Sequence, residues 1–448
     1  MYYLSTRDKN KSAIPSSQAI VNGLSADGGL YVPAEFPILP FDDYIGLSYE
    51  EIALNVLGCY FSDFSREELK EYIHKAYSEG NNLPVKLNGD YLELFHGNTA
   101  SFKDMALQLF PYLLSASLRK NNIDKTAVII TATSGDTGPA VLSGMANIPN
   151  IRAIVFYPHN GVTSAQRLQM TTQEGDNLFS FGINGNFDDA QAGVKEIFAD
   201  EAFKAQFSDE YIFTSANSIN IGRLLPQIVH FFYAYTELVR DGRISVGDKI
   251  NFAVPTGNFG NILSAYYAKK MGLPINKLIC ATNTNRVLDE FFKTGKFDSK
   301  RKFELTLSPA IDILVPSNFE RYMYENIIPA DIAADFASDC ASDQETIETM
   351  QAVYKSQNYI IDPHTAVAKC VYNKYQQRTG DKTLTIIAST ASPYKFTETV
   401  SRALGGDVFT APPPKIAALK DKPILHDKVI DIKNMRGAIS EILGGVLS

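Results

Sequence analysis

From Lys125 onward, short runs of β-branched and aliphatic residues alternate with stretches of helical periodicity. Residues 126–131 (TAVIIT) are typical of a buried strand, and the helical stretch PAVLSGMA follows them after a Gly/Thr turn. The same order returns with a strand at 151–157 and a helix at 162–171, and later strands are predicted in INFAVP, KLICATN and LTIIAST. Because a crossover helix joins parallel strands, this order predicts an α/β fold with parallel or mixed sheets flanked by helices.

The beginning of the chain lacks this alternation. Residues 1–90 contain mixed turns (SADGGLYVPAEFP) and then two polar helices, which predicts an N-terminal extension domain. Residues 91–448 form the remaining α/β region, and we expect a small mobile subdomain at roughly 100–200 within it. Residues 298–351 show no clear alternation and are interpreted as a helical insertion. Two helical stretches contain a proline, Pro111 and Pro226, and each helix should kink or break there.

Composition and charge exclude several classes of protein. The 448 residues carry a net charge of -8, so the chain has no bulk attraction for nucleic acid or an anionic membrane. Its apolar runs fall short of the roughly 20 residues that span a bilayer, and the polar N-terminus does not resemble a signal peptide. Four scattered cysteines without a Cys-x-x-Cys pair argue against a disulfide framework or zinc site. We expect a cytoplasmic protein without a metal, either a monomer or a homodimer.

Two glycine-containing loops follow predicted strands. In TSGDTG, backbone N–H groups at a helix N-terminus could hold an anion. The alternative is a capping turn with Ser134, Asp136 or Thr137 as the N-cap. In PTGNFGN, Gly257 and Gly260 could let the backbone wrap a phosphate, and the alternative is a tight left-handed turn. The loop lacks both the Walker A ending and the Gly-x-Gly-x-x-Gly pattern, so nucleotide binding is the weaker interpretation.

Two further segments carry candidate side chains. Thr390 in STASPYKF follows the strand LTIIA, where its hydroxyl could reach a ring nitrogen of a ligand or merely cap the next helix. Lys103 in HGNTASFKD lies at the start of a helix beside an apolar residue. Apolar surroundings lower the pKa of an amine, as an imine-forming lysine requires. The alternative is a solvated surface lysine. His96, His159 and His364 are isolated, and we expect structural hydrogen bonds for each.

In this order, the lysine segment and the three loops resemble the threonine synthases, pyridoxal-phosphate enzymes of the tryptophan synthase β-like fold (fold type II). The resemblance extends over nearly the whole chain through LSADGGLYVP, QRLQMTT, SANSINIGRLLPQIVHFFYAY, SNFERYMYE and DPHTAV. Asn98 stands where we expect proline in this family, and Ser392 and Tyr394 stand where we expect histidine and alanine. These departures concern substrate preference more than cofactor binding.

The resemblance also implies roles for individual residues. Lys103 would form the Schiff base with pyridoxal 5'-phosphate and then act as the base, and Thr390 would contact the pyridine nitrogen. The residues implied for the cofactor phosphate are Gly257, Asn258, Phe259, Gly260 and Asn261. The residues implied for the substrate are Ser134, Gly135, Asp136 and Thr137 at its carboxylate, and Ser164 and Arg167 at its phosphate. Because Asp136 is itself an anion, we expect N–H groups and hydroxyls of that loop to do the binding.

The implied reaction converts O-phospho-L-homoserine and water to L-threonine and phosphate, by γ-elimination followed by hydration at Cβ. An alternative on the same scaffold is a phospho-amino-acid lyase that releases 2-oxobutyrate, phosphate and ammonia. A second alternative is a non-catalytic regulatory protein that has kept the cofactor fold. Its weakness is that such a protein is free to lose Lys103 and the loop at 257–261, and both are intact here.

Overall fold

The computed structural model describes residues 1–78, 83, 85–325 and 334–444, and these fold around three sheets. The first sheet is antiparallel, small and N-terminal. Its strands are β1 (Tyr2–Ser5), β2 (Ile14–Pro15) and β3 (Tyr31–Pro33), and the helices beside it are α1 (Ser16–Asn22), α2 (Tyr49–Tyr60) and α3 (Arg66–Tyr77). Ser48 and Ser65 start α2 and α3 with reciprocal capping boxes, in which each serine exchanges hydrogen bonds with the glutamate three residues later. These caps fix where the two helices begin.

The rest of the chain alternates strands and helices, as its sequence pattern predicts. The strands are β4 (Lys86–Asn88), β5 (Tyr91–Glu93), β6 (Thr126–Ala132), β7 (Ile151–Pro158), β8 (Leu178–Ile183), β9 (Tyr211–Thr214), β10 (Ile250–Pro255), β11 (Ile275–Thr282), β12 (Phe336–Cys340), β13 (Thr385–Ser389) and β14 (Val429–Ile430). The helices are α4 (Asp104–Leu107), α5 (Phe110–Lys120), α6 (Thr137–Met145), α7 (Ser164–Thr171), α8 (Phe187–Ala199), α9 (Glu201–Ala205), α10 (Ile221–Leu224), α11 (Ile228–Arg240), α12 (Gly260–Lys270), α13 (Val287–Thr294), α14 (Phe319–Glu325), α15 (Asp343–Gln357), α16 (Pro363–Thr379), α17 (Thr397–Leu404), α18 (Pro414–Ala417) and α19 (Met435–Leu443). Short 3-10 helices lie at Phe41–Tyr44, Leu225–Gln227, Pro309–Ile311, Pro393–Lys395, Ala418–Asp421 and Ile432–Asn434.

The large sheet has the strand order β12-β11-β10-β13-β5-β4. Its strands are parallel except for the edge strand β4, and every residue of β10 and β13 is buried. Because β5, β13 and β10 are parallel neighbours, the loops that follow them leave the sheet at one edge. That edge is where an open parallel sheet binds its ligands.

The small sheet is parallel throughout, with the order β14-β8-β7-β6-β9. The C-terminal segment completes it, since β14 pairs with β8 and α19 packs on one face. Met435 and Ile439 of α19 join a buried cluster with Val128 and Ile154 of the sheet. The TSGDTG loop follows β6 and so lies at the carboxyl edge of this sheet.

The α/β fold predicted from the sequence is confirmed, and so are both proline breaks. Pro111 lies at the start of α5, separated from α4, and Pro226 lies in the 3-10 helix between α10 and α11. The helical insertion predicted at 298–351 is wrong in part, because β12 pairs with β11 inside the large sheet. Residues 326–333 of that range lie outside the described residues.

Two predicted domain limits also differ from the structure. β4 begins at Lys86 and pairs with β5, so the large sheet starts before residue 91. The small sheet extends beyond the predicted 100–200 to β9 and recruits β14 from the C-terminus. Among the helices the structure describes, none has the length and apolarity to cross a bilayer.

Candidate active site

The loop that carries Lys103 is fixed to the loop after β13. Ser101 and Ala391 form an isolated β-bridge. The N–H of Phe102 donates to the Thr390 carbonyl oxygen at 2.8 Å, and the N–H of Ser392 donates to the carbonyl oxygen of residue 100 at 3.0 Å. These backbone bonds bring the segment before α4 and the STASPYKF segment together at the edge of the large sheet.

Lys103 lies at the N-cap position of α4, with its side chain largely buried. Its side chain is only 12% exposed, and Nζ lies 4.7 Å from the centre of the Phe102 ring. Burial penalises the ammonium form and lowers the pKa of Lys103 to about 8. The surface-lysine interpretation is wrong, and the surroundings are only partly apolar, because besides the Phe102 ring a carboxylate oxygen of Asp136 lies 3.8 Å from Nζ. An amine with this pKa exchanges protons near neutral pH.

The TSGDTG loop brings a carboxylate to Lys103. Asp136 Oδ2 lies 3.8 Å from Lys103 Nζ, and Oδ1 lies 2.7 Å from Lys395 Nζ. Gln166 Nε2 donates to the same Oδ1 at 2.8 Å. Burial opposes ionisation of Asp136, but the two ammonium groups and these hydrogen bonds outweigh it and hold the pKa of the carboxyl well below its usual range. Sequence reasoning missed Lys395, because nothing in PYKF distinguishes it from a surface lysine.

The same loop leaves several backbone donors free. Thr133 Oγ1 accepts from the N–H groups of Gly135 and Gly138, each at 3.0 Å. Thr133 is thus the residue that caps the turn, and the side chain of Asp136 accepts no capping hydrogen bond. The N–H groups of residues 134, 136 and 137 have no acceptor among the described residues. These three donors at the start of α6 can hold an anion, whereas the N–H of Gly135 is already used.

The PTGNFGN loop forms a cradle of unpaired backbone donors. The N–H groups of residues 257–261 bond to no acceptor in the part of the chain that the structure describes. The left-handed turn is at Phe259, with φ 63°, and not at either glycine. Gly257 is needed for space, because a Cβ there would lie 3.0 Å from the carbonyl oxygen of Ala310. Five free N–H groups at a helix N-terminus suit a phosphate.

Aromatic packing holds this cradle in its unusual conformation. Phe259 is 1% exposed, and its ring lies against Phe319 and Phe336 at centroid distances of 5.2 and 5.9 Å. The carbonyl oxygen of Asn258 accepts from both the N–H and the side-chain amide of Asn318, each at 3.1 Å. The left-handed conformation costs free energy in a residue with a Cβ, and burial of a large ring offsets that cost.

Thr390 and α7 complete the list of expected positions. Thr390 is buried, and its hydroxyl has no hydrogen-bond partner among the described residues. Ser392 caps the next 3-10 helix, so the capping interpretation of Thr390 is wrong. On α7, Gln166 is buried and faces Asp136, whereas the residues at 164 and 167 are exposed. The structure therefore brings Ser164 and Arg167 to the helix that contacts the site, but on its exposed side.

These features fit the cofactor that the resemblance implies. Pyridoxal phosphate needs an amine for its aldehyde, donors for its phosphate and a partner for its ring nitrogen. Lys103 supplies the buried amine, the loop at 257–261 supplies unpaired N–H donors, and Thr390 supplies an unpaired hydroxyl. Each comes from a loop at the same edge of the large sheet. The residues present therefore match the cofactor in chemistry.

The three isolated histidines are structural or unpaired. His96 Nε2 lies 2.6 Å from Glu93, and His364 Nδ1 lies 2.6 Å from Asp362, as expected for structural hydrogen bonds. His159 Nδ1 is buried without a partner among the described residues, so the prediction is wrong for that ring nitrogen. Among the described residues, one group with metal-ligand spacing exists at Asp289, Asp339 and Cys340, but its two carboxylates already form ion pairs with Lys293 and Arg378.

His230, on α11 behind the cradle, makes stability depend on pH. It is fully buried, its Nε2 lies 3.3 Å from Asn261 Nδ2, and burial lowers the pKa of His230 to about 3. The unfolded chain takes up a proton near pH 6.5, and the folded chain does not, so stability is lost as pH falls below 6.5. We expect the wild type to lose about 2 kcal/mol of unfolding free energy between pH 7 and pH 5 relative to His230→Gln.

Urea denaturation of both proteins at the two pH values measures this difference. The packing defect of His230→Gln is present at both pH values and therefore cancels. Equal losses in the two proteins would contradict a neutral buried His230.

Comparison with protein families gives matches that cover most of the chain. The family described as "Threonine synthase N terminus" matches residues 2–77, "Pyridoxal-phosphate dependent enzyme" matches 91–389, and "Threonine synthase, C-terminal" matches 365–442. The second match alone covers more than half of the chain. The matches begin in the order of the N-terminal unit, the region of the two larger sheets and the C-terminal segment, and the last two overlap at 365–389.

Individual relatives agree with these families. The threonine synthase of Saccharomyces cerevisiae is 34% identical, with 98% of each chain covered. Human threonine synthase-like 1 is 39% identical over 87% of this chain, but the chain spans only 58% of the human protein's length. A crystal structure of pyridoxal-phosphate-bound threonine synthase from Brucella melitensis has a TM-score of 0.90 at 30% identity, covering 100% of this chain and 99% of the other. The chain belongs to the threonine synthase family of pyridoxal-phosphate-dependent enzymes.

Proposed function

We propose that this protein catalyses the threonine synthase reaction, in which O-phospho-L-homoserine and water give L-threonine and phosphate. The observation that carries the proposal is the buried amine of Lys103, held where the loops after β5 and β13 of the large sheet meet the TSGDTG loop. Family membership supports it independently.

We assign the cofactor contacts to groups left unpaired in the protein. The N–H groups of residues 257–261 hold the cofactor phosphate, and the Thr390 hydroxyl contacts the ring nitrogen. A hydroxyl at this position would bring no negative charge to the ring nitrogen and so would not favour its protonation. Bound pyridoxal phosphate supplies an electron sink for negative charge on the substrate carbons.

Lys103 moves the protons of the reaction. Because the pKa of Lys103 is lowered to about 8, roughly a tenth of the group is a free amine at pH 7, far more than for an ordinary lysine. The amine takes the proton from the substrate Cα, and the ammonium that forms is stabilised by the Asp136 carboxylate 3.8 Å away. Lys103 would therefore provide both the attachment for the cofactor and the proton transfer at the substrate.

The substrate's two anionic ends have separate binding groups in this proposal. Its carboxylate takes the free N–H groups of the TSGDTG loop, namely Ser134, Asp136 and Thr137, because the carboxylate of Asp136 itself faces two lysines. Its phosphate takes Arg167, with Ser164 beside it on α7. Arg167 is exposed and makes no ion pair with a described residue, so its planar fork is available for a phosphate.

Product analysis tests this function. The protein is loaded with pyridoxal phosphate and incubated with O-phospho-L-homoserine, and phosphate, threonine, 2-oxobutyrate and ammonia are measured together. The proposal predicts phosphate and threonine in equal amounts. Phosphate with 2-oxobutyrate and ammonia would move the function to a lyase on the same scaffold. Absence of phosphate release would contradict both activities and favour a non-catalytic role.

A further inference from the structure

Lys395 is a buried cation that the proposed chemistry does not use. Its side chain is 0% exposed, and Nζ contacts Asp136 Oδ1 at 2.7 Å and the carbonyl oxygen of Thr99 at 2.7 Å. The Thr99 carbonyl also accepts from Gln169 Nε2 at 2.9 Å. Lys395 thus joins the loop after β13 to the TSGDTG loop and to the loop that carries Lys103. A buried ammonium is costly unless it is paired, so this position is a built ion-pair site.

One carboxylate here is shared by two amines. Asp136 contacts Lys395 at 2.7 Å and Lys103 at 3.8 Å, so Lys395 has the closer contact. The other charged groups that act on Lys103 are Arg223, which disfavours its ammonium form, and Asp104, which favours it. When Lys395 and Lys103 are both ammonium ions, Asp136 neutralises only one of them. The three side chains together then carry a net positive charge. The low dielectric of the site makes that state unfavourable.

We propose that Lys395 is a positioning residue that acts through Asp136 to keep Lys103 available as a free amine. Lys395 keeps the Asp136 carboxyl ionised and contacts its Oδ1 atom. Lys103 is therefore not the sole partner of the carboxylate. The carboxylate remains close enough to stabilise Lys103 when it gains a proton. This inference rests on the proposed role of Lys103 as the reacting amine.

Substitution of Lys395 is expected to change the protonation of Lys103. In Lys395→Met, Asp136 loses its nearer cation and pairs with Lys103 alone, so the pKa of Lys103 rises. An upward shift of one unit would reduce the free-amine fraction at pH 7 about tenfold. Lys395→Arg keeps the positive charge, so we expect the pKa of Lys103 in this variant to stay near the wild-type value. The double variant Asp136→Asn/Lys395→Met removes the pair as a whole and should bring the pKa back down.

The experiment is competitive labelling of the cofactor-free, full-length protein with trace acetic anhydride across pH 6 to 11, with Lys103 followed by peptide mass analysis. Unfolding of Lys395→Met would also raise the pKa of Lys103, so protection of the buried thiol of Cys280 against a thiol reagent reports whether each variant is folded. The double variant separates the two causes, because damage to the fold would not be reversed by a second substitution.

The proposal is supported if the pKa of Lys103 rises in Lys395→Met and falls back in the double variant. It is overturned if Lys395→Met titrates like the wild type, or if the double variant keeps the raised pKa. Because labelling uses no substrate, it remains informative if the protein makes no threonine. The product analysis of the wild type, in turn, tests the proposed function whether or not the inference about Lys395 is correct.

Discussion

Lys103→Ala is expected to reduce threonine formation by about 10⁴-fold or more, because one side chain provides both the attachment for the cofactor and the proton transfer at the substrate. The fold should survive, since the alanine removes a buried amine and leaves Asp136 paired with Lys395 at 2.7 Å. Phosphate release from O-phospho-L-homoserine measures the loss, and a circular dichroism melt measures the fold.

Lys70→Ala is a matched control, because this lysine lies on the exposed side of α3. We expect wild-type turnover from it. If Lys103→Ala kept wild-type turnover with an unchanged melting curve, the assignment of the whole site would be wrong.

Gly257→Val is expected to weaken cofactor binding about 100-fold, the size of effect that follows from displacing a binding group by about 1 Å. A Cβ at this position would lie 3.0 Å from the Ala310 carbonyl oxygen and 3.0 Å from Ile311 Cα. Both are backbone atoms and cannot rotate away. The loop must therefore move, and its N–H groups no longer point toward one phosphate position. Titration of the apo protein with pyridoxal phosphate, followed by visible absorbance, gives the dissociation constant.

Gly58→Val makes the same chemical change in α2, where a Cβ meets nothing within 4 Å. Its cofactor affinity should equal that of the wild type. Wild-type affinity in Gly257→Val would exclude the loop at 257–261 as the phosphate site.

The sequence predicted the elements that depend on local patterns. The β-branched runs form strands such as β6 and β10, as predicted. The candidate loops follow these strands, and parallel pairing places loops of the same sheet at one edge. In contrast, β12 (FASDC) is short and partly polar, and pairing with β11 decides its conformation. β14 has two residues and exists because β8 offers it a parallel edge.

The parts of the site that the sequence did not reveal depend on distant contacts. Lys395 is buried because it meets Thr99, 296 residues earlier in the chain. Phe259, and not Gly257 or Gly260, adopts the left-handed conformation, because aromatic rings from α14 and β12 hold its side chain. Thr133 takes the capping role that the alternative interpretation gave to Ser134, Asp136 or Thr137, so the Asp136 side chain is free to face the lysines.

The central claim is that Lys103 is the amine that holds the cofactor. Lys395 is the main alternative attachment site, because it is also buried and contacts the same carboxylate. It lies at Asp136 Oδ1, whereas Lys103 lies at Oδ2. Borohydride reduction of the protein loaded with pyridoxal phosphate fixes the cofactor to its lysine, and peptide mass mapping then locates it. The structure predicts the label on Lys103 alone. A label on Lys395, or on any other lysine with Lys103 unmodified, would contradict the account.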